Sequence, residues 1–128
     1  YAAAKKSKWA LLDSNLKIVL AYRYQYLYPP DQDLIRAKLK NKMGLIRLNG
    51  DVILPFEWDA IDAFIDDVSI VERNFKYGLV SRAGEILITA ELDKKPNLSN
   101  NFVFLEHNNR LACYNLNLKK IIWKEEGY

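Results

Sequence analysis

Four stretches of this chain fall into one frame: KWALLDSNLKIVLAYRY from Lys8, KMGLIRLNGDVILPFEW from Lys42, KYGLVSRAGEILITAEL from Lys76 and RLACYNLNLKKIIWKEE from Arg110 start 34 residues apart without a gap. A fixed period constrains a fold strongly, because each copy must offer the same faces to its neighbours. In every copy a base (Lys8, Lys42, Lys76, Arg110) precedes a large apolar residue (Trp9, Met43, Tyr77, Leu111) and then a small one (Ala10, Gly44, Gly78, Ala112). Two mostly apolar residues follow. A second apolar run comes next, at Ile18 to Leu20, Val52 to Leu54, Ile86 to Ile88 and Ile121 with Ile122.

Helical repeats share this period, but the residue types here argue for strands. Val, Ile, Tyr and Phe dominate runs of five to seven residues, and turn residues separate the runs. Asn49-Gly50 predicts a two-residue hairpin turn of the primed type, which needs positive φ at both central positions. Gly84 holds the matching place in the next copy. Leu16 and Leu118 replace it in the outer copies, so those turns are expected to use another geometry or to carry strain. A further strand precedes each pair: Tyr1 to Lys5, Leu34 to Leu39, Val68 to Glu72 and Phe102 to Glu106.

The expected fold is therefore all-β: one domain over residues 1–128, built from four tandem three-stranded antiparallel units at about 1–32, 33–66, 67–100 and 101–128. The second strand of a unit places Trp9 and Leu11 on one face and Ala10 and Leu12 on the other, and the third is apolar on both. A strand apolar on both faces must be covered on both, so each unit has to pack on its neighbours. A propeller-like or barrel-like ring and an open array both achieve this. The small residue at Ala10, Gly44, Gly78 and Ala112 fits close approach of a neighbouring sheet or an aromatic ring.

KYGLVSRAGEILI and KMGLIRLNGDVILPFEWDAIDAF resemble WG repeats, bacterial modules that read roughly Lys-Trp-Gly-Leu-Ile-Asp, a short Gly-containing turn, an apolar run with Pro, and an aromatic-Asp segment. Lys42, Gly44, Leu45, Ile46, Gly50, Val52, Ile53, Pro55, Trp58, Asp59, Ile61 and Phe64 stand where that pattern expects them. No copy joins Trp to Gly, since Trp9 precedes Ala10 while Met43 and Tyr77 precede the glycines. Only Asp13 keeps the pattern's Asp. The resemblance implies an all-β repeat protein used for binding, often within a larger bacterial protein of the cytoplasm or cell envelope, with no catalytic residues to carry over.

The net charge of +3 does not by itself call for nucleic acid or a membrane surface. Residues 1–50 hold ten Lys or Arg against three Asp or Glu, and residues 51–128 hold nine against thirteen. Two electrically different halves are expected. Cys113, the single cysteine, leaves no intrachain disulfide and no Cys-built metal site, and it is expected to act as a small buried hydrophobe in the slot of Leu11, Leu45 and Leu79. No apolar run is long enough to span a bilayer, and residues 1–8 carry no signal-peptide pattern. The chain opens on Tyr1 rather than Met, as expected of a processed product or a piece of something longer.

Side chains that could carry chemistry are few. His107, the sole histidine, has no sequence neighbours to complete a Ser-His-Asp or Cys-His set and reads as a turn-flanking residue. Glu57, Asp59, Asp62, Asp66 and Asp67 have two readings, a calcium site or a solvated rim; their spacing matches no calcium loop, which favours the rim. Arg36, Lys38, Lys40 and Lys42 alternate along a strand and its turn, as a face for an acidic partner, a phosphate backbone or anionic lipid, or, the favoured reading, as a solvated row that protects against edge-to-edge aggregation. No cofactor is expected.

The connectors QYLYPPDQD from Gln25, DAIDAFIDD from Asp59 and DKKPNLSNN from Asp93 have equal length and dissimilar content. In repeat folds such segments gather on one rim and carry contacts. Among the tyrosines, Tyr22 aligns with Phe56 and Ala90, and Tyr24 with Trp58 and Leu92, which marks both as packed. Tyr26 and Tyr28 align with Ala60 and Asp62, and with Lys94 and Pro96, so no recurring core position claims them. The candidate binding residues are Tyr26, Tyr28, Asp62, Asp66, Lys94, Lys95, Arg36, Lys38 and Lys40. The expected role is noncatalytic: a module that binds another protein, or another part of a longer chain, through its connectors. The alternative is a carbohydrate or cell-envelope ligand held on exposed aromatics.

Overall fold

Residues 2–5, 8–12, 15 and 18–128 are described in a computed structural model of the chain. Every regular element among the described residues is a strand. The first sheet holds β1 (Ala2–Lys5), β2 (Lys8–Leu12) and β3 (Ile18–Tyr24). The second holds β4 (Tyr26–Leu27), β5 (Leu34–Leu39), β6 (Lys42–Arg47) and β7 (Val52–Trp58). β8 (Ala60–Ile61), β9 (Val68–Arg73), β10 (Lys76–Ser81) and β11 (Ile86–Leu92) form the third. The fourth consists of β12 (Asn97–Ser99), β13 (Phe102–His107), β14 (Arg110–Asn115) and β15 (Lys120–Lys124).

The four units follow one another in series as antiparallel meanders. The expected count of three strands is met in the first sheet among the described residues and exceeded in the others, because a short piece of each connector, the head of the first two and the middle of the third, pairs as an edge strand of the sheet it enters. Tyr26 pairs with Lys38, Ala60 with Glu72 and Asn97 with Phe104. A one-residue bend at Gln25 or Asp59 is all that parts the last strand of one sheet from the first of the next. A strand that switches sheets at a bend ties the two together.

Alternation along the strands then builds the core. In the second sheet Ile35, Ala37 and Ile46 pack with Tyr24 of the first, while Met43, Leu45, Leu54 and Trp58 pack with Ile61, Val71 and Val80 of the third. The same rule gives the next seam: Ile70, Leu79 and Leu92 of the third sheet meet Val103, Leu105, Ala112 and Tyr114 of the fourth. Complete burial of one such aliphatic side chain contributes about 1.5–3 kcal/mol. Tyr24, Trp58 and Leu92 are all buried, as their alignment predicts. The Tyr22 side chain lies outside what is described.

Cys113 departs from its expected burial. Leu45 and Leu79 in its slot are wholly covered by the following sheet, but Cys113 is half-exposed, because no described sheet covers that face of the fourth. It pairs directly with Trp123 on one side and Phe104 on the other, and both rings are exposed.

The turns also differ from expectation. Asn49-Gly50 is not a two-residue primed turn: Gly50 alone takes positive φ, its N–H donates to the Arg47 carbonyl, and the Arg47 N–H donates to the Asp51 carbonyl. That pattern is a three-residue loop, and Gly84 repeats it with Ser81 and Glu85. In the fourth sheet, where Leu118 replaces the glycine, positive φ moves to Lys119, an alternative geometry as anticipated. Leu16 lies outside the described residues. The two-residue primed turns occur elsewhere and without glycine, at Lys40–Asn41, Asn74–Phe75 and Asn108–Asn109, with φ from 53° to 65°.

The small residue proves to accommodate a bulge. Met43 pairs with Trp58 and Leu45 with Leu54, so Gly44 alone faces Pro55, Phe56 and Glu57. A β-carbon on Gly44 would stand 2.8 Å from the Phe56 ring. Gly78 faces Thr89, Ala90 and Glu91 in the same way, but what approaches it is backbone of its own sheet rather than a ring or a second sheet. The bulge also explains a proline within β7, since a bulged residue is released from the ladder.

Candidate functional site

Each connector runs the length of a seam between sheets. Its first residue lies beside the primed turn at one end: the Gln25 side chain bonds to Asn41, and an Asp59 carboxylate oxygen accepts the Asn74 N–H at 2.8 Å. Its last residue lies beside the three-residue loop at the other end, where the carbonyls of Asp33, Asp67 and Asn101 accept the N–H groups of Leu48, Arg82 and Leu116. The connectors are thus seams rather than one rim. At the primed-turn end Lys42 pairs with Asp59, and Lys76 with Asp93. These ammonium groups, with the Asn74 and Asn108 amides, hold both carboxyls below their ordinary range against a partial opposing effect of desolvation.

The candidate residues divide among the seams. At the first, Tyr26 meets Trp9 edge to face at 4.8 Å between ring centres and Tyr28 at 4.7 Å, and the Arg36 guanidinium lies 4.3 Å over the Tyr28 ring. Tyr26 is 37% exposed and Tyr28 is half-buried. Arg36 also donates to the Ile61 carbonyl at 2.8 Å, so it spans the second and third sheets. The basic row is therefore divided: Arg36 and Lys42 are tied down, while Lys38 and Lys40 form no ion pair among the described residues.

At the later seams Asp62 pairs with Lys95 at 2.6 Å, which raises the Lys95 pKa, and Lys94 pairs with Glu106. The buried Ser69 hydroxyl donates to the Asp62 carbonyl at 2.6 Å. The acidic residues do not converge: Glu57 bonds to Arg73, Asp59 to Lys42 and Asp62 to Lys95. His107 ends its strand just before a turn, with Nδ1 3.6 Å from Asp93.

A cleft of about 420 Å³ opens at the third seam. Ile65, Leu87, Leu98 and Leu116 supply apolar wall, and Asp66, Asp67, Asn100, Asn101, Asn117 and Lys119 supply polar groups. Ile65 to Asp67 end one connector, and Leu98, Asn100 and Asn101 belong to the next. At the corresponding place on the second seam a side chain of the protein itself takes up part of the space, beside a smaller hollow of about 220 Å³ lined by Asp31, Leu34, Arg36 and Phe64. Arg82 lies over the Phe64 ring at 4.9 Å, donates from Nε to the Asp66 carbonyl at 2.7 Å, and reaches Asp31 at 3.1 Å. Leu116 takes that place one period later and is too short to fill it.

The WG-containing repeat matches residues 9–42 and 43–76 in two consecutive copies, just over half of the chain. The chain belongs to the WG repeat family. No curated protein matches it.

The WG copies and the sheets are out of phase. Copy 43–76 contributes β6 and β7 to the second sheet and β8 and β9 to the third, so a sheet is completed only by two successive copies. Of the residues that decide the cleft, sequence reasoning singled out Asp66 and missed Arg82, Leu98 and Leu116. The signal was present in the WG alignment, where Leu48, Arg82 and Leu116 share one position and differ in length and charge.

Proposed function

We propose that this WG-repeat chain is a noncatalytic binding module that engages another protein, or another part of a longer chain, through the connector segments lining its seams. One observation carries the reading: two connectors of dissimilar sequence converge on an open cleft at the third seam. A concave site with apolar walls and a few polar groups is the usual form of a small-ligand site, and a side chain or short segment of a partner can occupy one. The test is photo-cross-linking from a benzophenone residue placed at Asn117, beside the cleft, or at Phe75, in a primed turn at the opposite end. The expected result is a discrete protein adduct from Asn117 and none from Phe75. Adducts from Phe75 alone would overturn the reading.

The carbohydrate alternative rests on the first seam. There the rings of Trp9, Tyr26 and Tyr28 meet edge to face and Arg36 covers Tyr28, which leaves little free ring face for a sugar to stack on. Glycan binding abolished by Tyr26→Ala would favour it.

A further inference from the structure

We propose that the third-seam cleft receives an arginine side chain presented by the partner, in the place that Arg82 fills internally at the second seam. This inference rests on the binding reading above and names the chemistry of that site.

The repeat supplies its own template. Asp66 and Asn100 occupy the same left-handed turn position, with φ of 55° and 54°, and the Arg82 and Leu116 N–H groups bond to the preceding connector in the same way. The Asn100 carbonyl is therefore offered to the third cleft as the Asp66 carbonyl is offered to Arg82, while Ile65 and Leu98 stand in the places of Asp31 and Phe64, so a carboxylate for the guanidinium has to come from elsewhere in the lining. Leu87, Leu98 and Leu116 form a wall for an aliphatic stem, and a volume of about 420 Å³ admits a long side chain.

Charge at the mouth selects a cation. In the second sheet Asp33 is neutralised by Arg47 at 2.7 Å. One period on, Ser81 replaces that arginine, and the one cation paired with Asp67, 94% exposed, among the described residues is the Arg82 Nε at 3.9 Å. Asp66 adds a second carboxylate to the lining. Lys119, the cation of the lining, is tied to Glu85 at 3.1 Å. A guanidinium can bond to a backbone carbonyl and a carboxylate together through its planar fork, which an ammonium does less well.

The experiment is a proton–nitrogen NMR titration of the full chain with acetyl-Ala-Arg-Ala-amide and with the same tripeptide carrying citrulline, which keeps the shape and removes the charge. Saturable shifts at Leu98, Asn100, Asn101 and Leu116 are expected, with citrulline weaker by at least about fivefold. Asp67→Asn should reduce arginine binding and leave citrulline binding unchanged. Leu116→Arg should abolish both by filling the cleft from within; if that variant fails to fold, Asp67→Asn at its exposed position carries the test. Equal affinity for the two peptides, or shifts confined to residues away from the third seam, would overturn the proposal. Arginine binding at the cleft with no cross-link from Asn117 would overturn the protein-partner reading alone.

Discussion

Gly78 lies so close to Ile88 that a β-carbon on it would stand 2.6 Å from the Ile88 carbonyl oxygen, with the Ala90 nitrogen at 2.9 Å. Both are backbone atoms of the bulge that Gly78 faces, and neither can swing aside as a side chain can. Gly78→Val is therefore expected to cost on the order of 1–3 kcal/mol through overpacking. A denaturant midpoint equal to that of the parent chain would contradict this account of the small residue.

Phe75 is 87% exposed and sits at φ 65°, a conformation that a bulky residue adopts at a cost. Glycine removes that penalty, about 1–2 kcal/mol, but gives back part of it as greater freedom of the unfolded chain, about 0.5–1 kcal/mol. Phe75→Gly should stabilise the protein by roughly 0.5–1 kcal/mol in urea unfolding. Destabilisation would mean that the Phe75 ring has a packing role.

Arg82 ties the second seam through the Asp66 carbonyl and Asp31 and covers the Phe64 ring. Arg82→Leu removes both bonds, and since water can reach the exposed acceptors it is expected to cost roughly 0.5–1.5 kcal/mol. The same substitution should enlarge the hollow of about 220 Å³ at the second seam toward the size of the third-seam cleft. Thermal melting measures the first effect and a crystal structure of the variant the second.

Asp59 and Asp93 have depressed pKa values in the folded chain, caused first by hydrogen bonds from Lys42 and Lys76. Their contribution to stability is then fully present above the ordinary aspartate pKa of about 3.9 and is lost as pH falls through the lower folded values. Acid unfolding should become less steep in the double variant Asp59→Asn, Asp93→Asn. An unaltered pH profile would assign the acid sensitivity to other groups.

Much of the architecture could be read from the period. The small residue before each apolar pair, the strand runs and the buried alignment column of Tyr24, Trp58 and Leu92 all follow from one phase of alternation. What escaped was either too short or too distant to leave a pattern. Tyr26–Leu27 and Ala60–Ile61 are two-residue edge strands, which cannot display an alternation of their own. The turns at Lys40–Asn41 and Asn74–Phe75 reach positive φ without the glycine that would announce it. The cleft depends on a side chain that crosses a seam: whether Arg82 or Leu116 stands at one position bears on how much space is left between connectors. Nothing local to either residue states that outcome.

The offset between WG copy and sheet has a bearing on how such a chain lengthens. Copies 9–42 and 43–76 each end partway through a sheet, so the unit of inheritance and the unit of folding have different boundaries. A tandem duplication of 34 residues rebuilds whole sheets wherever its breakpoints fall, since any cut that keeps the period rejoins two complementary half-sheets. Recombination in this family therefore has to preserve a length rather than a position, and a new seam, with its own choice of filled or open, arises each time it does.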